Sequence, residues 1–206
     1  MHLFRLLFST TLFFLTSVAV AQDATVIMDG LVSKMKKYKS IKTTYTVSYE
    51  ENGTVHSENG AIVLQGNKYV NKLNGTMTWF NGKTMWAYVV DNEEVTITNP
   101  TDEEIASSNP YNMISSYKKE YFPSLLSSTT SHYIIKLTPK SKSGEINHIQ
   151  LKINKSSYQP VQMLIELTKS RMSIDLKSFE TNHSYKSSSF TFNKSKYPNA
   201  EIVDLR

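Results

Sequence analysis

Three of the chain's four Asn-Gly pairs, Asn52-Gly53, Asn74-Gly75 and Asn81-Gly82, sit close together between short runs in which apolar and polar residues alternate. Asn-Gly accepts two successive positive-φ positions, so it makes the two-residue hairpin turn whose twist suits the strands on either side. Tyr45, Val47 and Tyr49 alternate with Thr44, Thr46 and Ser48, and further runs follow through Ala61–Leu64, Lys68–Leu73, Met77–Phe80, Thr84–Val90 and Val95 to Ile97. Period-two alternation marks a half-buried strand. This part of the chain is therefore expected to fold as an antiparallel meander.

The flanking segments follow other periods. Ile27, Leu31 and Met35 form an i, i+4, i+8 stripe within Asp23–Tyr38, with lysines at 34, 36, 37 and 39. That spacing predicts an amphipathic helix whose last turn carries the positive charge its dipole favours. Near the middle, Ser108-Asn109-Pro110 reads as a helix start, with Tyr111, Ile114, Tyr117, Tyr121 and Leu125 behind it and Pro123 as a break or kink. Alternation then resumes at Tyr133–Leu137, Ile149–Ile153, Val161–Leu167 and Met172–Leu176, and a last strand is expected at Phe190 and Phe192. The expected architecture is mainly β with some α: one domain, a curved antiparallel sheet of about 10–11 strands, an N-terminal helix and a helical insertion. So long a sheet must curl or close, which gives it an apolar inside.

Met1-His2-Leu3-Phe4-Arg5, a largely apolar run from Leu6 to Val20, and Ala19-Val20-Ala21 have the three parts of a secretory leader. Residues 1–21 are thus expected to be a signal peptide cleaved near Ala21/Gln22, leaving residues 22–206 as a single periplasmic domain. The chain has no cysteine, which excludes disulfides and thiol catalysis and leaves no cysteine for lipid anchoring. Without Arg5 the 23 basic residues become 22 against 18 acidic ones, a net charge of +4. These charges are scattered, whereas nucleic-acid binding calls for a clustered basic stripe.

Catalytic signatures are absent. The sequence has no G-x-S-x-G elbow, Walker loop or G-x-G-x-x-G, and none of His56, His132, His148 and His183 stands at metal-ligand spacing. The adjacent carboxylates Glu50-Glu51, Glu93-Glu94 and Glu103-Glu104 fall at predicted turns and loops, and since neighbours on a strand point to opposite faces they read as solvated surface. Five N-x-S/T triplets start at Asn52, Asn74, Asn154, Asn182 and Asn193, where roughly three are expected by chance, so they are weak evidence for glycosylation. The chain is read as no enzyme, with neither metal nor cofactor. It is rich instead in aromatics, with 12 tyrosines, nine phenylalanines and two tryptophans, and it has eight methionines, whose packing adapts to irregular ligands.

The order of these parts resembles the LolA family of periplasmic lipoprotein carriers. The resemblance is carried by Trp79-Phe80-Asn81-Gly82-Lys83-Thr84-Met85-Trp86-Ala87-Tyr88, by the insertion opened at Asn109-Pro110-Tyr111, and by Leu137-Thr138-Pro139-Lys140. Asn81 stands where the family has aspartate. The tail from Phe190-Thr191-Phe192 through Tyr197-Pro198 to Val203-Asp204-Leu205-Arg206 is similar to that of a Bacteroidetes-type branch. The resemblance implies an incomplete β-barrel with helices as a lid, acylated lipoproteins as cargo, an inner-membrane lipoprotein-releasing ABC transporter as donor, and an outer-membrane acceptor or membrane as recipient. It also implies a lid tethered by an arginine after the second strand. Here that stretch reads Leu64-Gln65-Gly66-Asn67-Lys68, with Lys68 its only basic residue.

On alternation, Tyr45, Val47, Trp86, Tyr88, Met163, Ile165, Met172 and Ile174 are expected to line the acyl-chain hollow, with Ile27, Leu31 and Met35 plugging it from the lid. The protein is expected to be a monomeric carrier. The rival readings are a lipid- or lipoprotein-sensing regulator on the same scaffold, a hydrolase, and a structural β-protein with a solid core.

Overall fold

The computed structural model describes residues 13–101, 104–105, 110–141 and 144–206, with the backbone alone described for 13–23 and Pro110. Most of the leader, and the cap residues Ser108-Asn109, lie outside the described residues. Helix α1 runs Phe13–Lys36. The described helix includes the ten residues before Asp23, a stretch that no glycine or proline interrupts. Ala24, Ile27, Met28, Leu31 and Met35 form its buried face, while Lys34, Lys36 and Lys37 are exposed.

Six strands follow: β1 Ile41–Glu51, β2 Thr54–Gln65, β3 Lys68–Leu73, β4 Thr76–Phe80, β5 Met85–Val89 and β6 Glu94–Thr98. Two short helices, α2 Pro110–Ser115 and α3 Tyr117–Glu120, lead into β7 Tyr121–Ser128, β8 His132–Pro139, β9 Ile146–Asn154, β10 Pro160–Leu167 and β11 Ser170–Leu176. The two-residue β12, Glu180–Thr181, pairs with β1, and β13 is Glu201–Asp204. All belong to one 13-stranded sheet of order β13-β6-β5-β4-β3-β2-β1-β11-β10-β9-β8-β7, with β12 off that path. The sheet is curved and unclosed, with two more strands than the upper expectation.

The turns behave as their residues require. Asn52-Gly53 and Asn74-Gly75 both take positive φ, which lets β1–β2 and β3–β4 form tight hairpins. At Asn81 the side-chain carbonyl accepts from Lys83 N and Thr84 N, each at 2.9 Å. An aspartate would offer the same acceptor, so the asparagine keeps the turn.

Two expectations fail. Tyr121 and Leu125 lie in strand β7 and not in a helix. Pro123 is tolerated there because β7 is an edge strand of the sheet. Phe190 ends a 3₁₀ turn, Ser187–Phe190, and Phe192 lies in an irregular segment. The last strand is β13, which runs parallel to β6.

Apolar residues gather on both sides of the sheet. The main core lies on the concave side and includes Ile27, Leu31, Tyr69, Phe80, Ile135, Leu151 and Ile165. A smaller cluster of Trp79, Tyr88, Val95 and Ala200, with Trp86, Phe192 and Tyr197 against it, lies on the opposite side of β4–β6. Cross-strand pairing explains the separation: Trp79 faces Trp86 and Met77 faces Tyr88, while Phe80 alternates to the other face with Tyr69 and Met85.

One close approach on β2 shapes the concave side. A Cβ on Gly60 would lie 2.3 Å from the ring of Tyr45, which crosses the glycine to donate from its hydroxyl to Asn71 Oδ1 at 2.7 Å. Gly60→Ala is therefore expected to destabilise the fold by about 1–3 kcal/mol, the range for overpacking a tight site. Urea unfolding of the variant measures it, and a loss near zero would mean that the ring moves aside freely.

Candidate functional site

Between the concave sheet face and the helices lies a cavity of about 350 Å³. Its floor comes from β1, β2, β3, β10 and β11, and Met35 of α1 and Tyr111 and Ile114 of α2 also line it. The floor is apolar because inward positions of these strands carry Ile41, Val47, Ile62, Leu64, Met163 and Ile174, each on the face that alternation leaves for one side.

Of the predicted residues, the structure brings Tyr45, Val47, Met163, Met172, Ile174 and Met35 together around this cavity. Ile165 is buried on the same face, within the filled part of the core. Ile27 and Leu31 are also in filled core, where α1 packs against β7. Trp86 and Tyr88 do not line the cavity. They project to the other face of β5, beneath the C-terminal segment, and the cavity side of β4–β5 carries Thr78 and Ala87 instead. Alternation separates the two faces of a strand without saying which one looks inward.

Sequence reasoning misses Tyr49, Asn71 and the pair Tyr111 and Ile114. Tyr49 continues the alternation of Tyr45 and Val47, so the signal for it exists. The Thr43 hydroxyl reaches Ser178 O at 2.5 Å, and burial pushes up the titration of the Tyr45 phenol. The Thr43 and Tyr45 hydroxyls in the cavity wall are thus tied to the protein and do not point as reactive groups at a ligand. Among the described residues, no three His, Cys, Asp or Glu side chains stand close enough to hold a metal ion.

α1 is fastened to the helical insertion by a polar contact. The buried Tyr117 donates from its hydroxyl to Asp29 Oδ1 at 2.6 Å, and Lys118 Nζ bonds Asp29 Oδ2 at 2.8 Å. The Lys118 bond, and then the Tyr117 bond, hold the Asp29 carboxyl below its ordinary range. Lys68 makes no hydrogen bond or ion pair with α1 or α2 among the described residues. The arginine tether that the resemblance implies thus has no counterpart at Lys68, and Asp29 with Tyr117 and Lys118 joins α1 to the insertion instead. Its sign with pH follows from the lowered carboxyl: the contribution is present above the unfolded-state aspartate value, near 3.9, and is lost as pH falls through the folded value. Tyr117→Phe is expected to cost about 0.5–1.5 kcal/mol and, if the contact holds a closed state, to speed release of a bound fluorescent fatty acid by about two- to tenfold. Stopped-flow release at neutral pH measures this; unchanged release would make the contact purely structural.

A family model described as outer membrane lipoprotein carrier protein LolA matches residues 15–169. An uncharacterized conserved protein from Thermus thermophilus has a similar structure, with a TM-score of 0.59 at 11% identity over 88% of this chain and 99% of that one. A putative outer membrane lipoprotein-sorting protein domain from Vibrio parahaemolyticus gives a TM-score of 0.48 at 10% identity, covering 86% and 99%. A LolA superfamily protein from Nitrosomonas europaea gives 0.43 at 13%, covering 82% and 97%. The Thermus likeness concerns the fold alone, and the other two are looser still. No match is found among curated protein sequences.

Proposed function

Because this chain belongs to the outer membrane lipoprotein carrier LolA family, we propose that it shelters the acyl chains of lipoproteins and carries them across the periplasm from inner to outer membrane. The observation that carries the reading is the apolar cavity of about 350 Å³ between the sheet and α1–α2.

The physical need for such a cavity is large. Moving a sixteen-carbon chain from membrane to water costs about 12 kcal/mol at ~0.8 kcal/mol per methylene, so free diffusion of a lipoprotein with two or three chains is negligible. A carrier must offer a comparable apolar surface and still let go. Flexible methionines at 35, 163 and 172 give the wall a loose fit. The cavity is at the lower end of the ~300–1,000 Å³ of small-ligand pockets. It suits one chain, and a second requires α1 and α2 to lift.

In this reading residues 1–21 are a cleaved leader and residues 22–206 a periplasmic, monomeric binding domain without catalytic activity. The donor is an inner-membrane lipoprotein-releasing ABC transporter, and the recipient an outer-membrane acceptor or the membrane itself. No described helix is long and apolar enough to cross a membrane.

The test is to purify the protein from envelope fractions, determine its N-terminal residue, and identify what comes with it by mass spectrometry. Many different acylated proteins and an N-terminus near Gln22 are expected. A single bound lipid species would turn the reading toward a lipid-sensing protein on the same scaffold, and recovery of no acylated molecule would overturn it.

A further inference from the structure

Beside the apolar cavity the concave face turns polar. A second hollow of about 430 Å³ is lined by Tyr49, Glu58, Asn71, Asn74, Thr76 and Thr78, along with Leu73. Tyr49, Asn71 and Leu73 line both hollows, so the two adjoin. Register explains the change: Thr78 stands opposite Asn71 and Thr76 opposite Leu73, which puts hydroxyls where β1, β10 and β11 place aliphatic groups.

The polar groups of this hollow have little to bind within the protein. Among the described residues neither the Tyr49, Thr76 and Thr78 hydroxyls nor the Glu58 carboxylate has a hydrogen bond or ion pair. Asn71 spends its oxygen on Tyr45 and keeps its amide nitrogen free. Glu58 is half-buried and lines the hollow together with Tyr49, and after burial itself its charge helps raise the titration of the Tyr49 phenol. No lysine or arginine lines the hollow; the nearest base by register is the exposed His56, opposite Tyr49 at the rim.

The geometry points to a headgroup site: the polar hollow takes the uncharged, hydroxyl- or amide-bearing head of the molecule whose acyl tail fills the apolar cavity, and Glu58 disfavours phosphate heads. This inference rests on the acyl-binding reading above. Free donors and acceptors reward a glycerol ester or an amide, because each bond formed replaces one to water. A phosphate would enter beside a carboxylate with no cation to offset the repulsion.

Displacement of a fluorescent fatty-acyl probe from the full mature chain tests it, with 1-monolauroylglycerol and dodecyl phosphate as competitors. The glycerol ester is expected to bind about tenfold more tightly, as one like-charge contact at partly buried distance implies. Glu58→Gln is expected to improve dodecyl phosphate by several-fold relative to the glycerol ester. Thr76→Val with Thr78→Val is expected to weaken the ester by about three- to tenfold. Equal displacement by both competitors, with affinity still rising with tail length, would overturn the headgroup site and leave the tail cavity intact. Displacement by neither would overturn both.

Discussion

Ile174→Trp is expected to leave the chain folded and to weaken binding of a fatty-acyl probe by about 30- to 150-fold. Ile174 lies on β11 opposite Val47 and Met163 and lines the cavity. It is only partly buried, so a larger side chain grows into empty space and not into neighbours. An indole there takes the room of three or four methylenes, each worth about 0.8 kcal/mol of burial, and the loss of some 2–3 kcal/mol gives that fold-change. Folding stability should move by less than about 1.5 kcal/mol, the range for tolerated apolar exchanges. Titration calorimetry and urea unfolding on the same variant separate the two effects. Unaltered affinity would mean that acyl chains bind elsewhere.

Phe190→Ala is expected to cost about 3–5 kcal/mol, as other truncations of fully buried aromatics do. Against a total stability of about 5–15 kcal/mol for a domain, this is a large part of the whole. Phe190 is fully buried, with Tyr185 edge-on at 6.2 Å. Beyond it the chain lays Phe192 and Tyr197 over the outer face of β4–β5. The Phe192 and Tyr197 rings stack at 5.4 Å, Tyr197 meets Tyr88 at 4.7 Å, and Trp79 lies within 6 Å of both. Freeing this strap exposes Trp79 and Trp86, so a red shift of tryptophan emission should accompany the lost stability. A variant that loses under about 1 kcal/mol with unshifted emission would show that the strap holds without Phe190.

That strap also marks where sequence stops being informative. Period-two alternation and the Asn-Gly turns place β1–β6 and most of β8–β11, since both signals act between residues a few positions apart. Alternation assigns Trp86 and Tyr88 to the hollow because they are the greasiest side of their strand. Their cover comes from residues 190–200, more than 100 positions away, and nothing local records it. The spacing of Tyr117, Tyr121 and Leu125 fits a helix as well as a strand, and pairing of Tyr121–Ser128 with β8 decides the matter. The Asp29–Tyr117 contact spans 88 positions. Tyr45, Val47, Met163, Met172 and Ile174 are legible as cavity residues because they belong to regular strands with only one apolar face.

The seam between β1 and β11 bears on how quickly the molecule can form. Residues 41–98 and 121–176 each make a succession of local hairpins, and the two halves meet along Tyr45–Glu51 against Ser170–Leu176. Ring closure over some 120 positions must precede that zippering, and folding slows as contacts become more distant in sequence. Until the seam closes, the flank of β1 is an open template for a neighbouring chain. Refolding at rising protein concentration should therefore lose yield before it loses rate, with β1 and β11 the last of these strands to gain protection from hydrogen exchange.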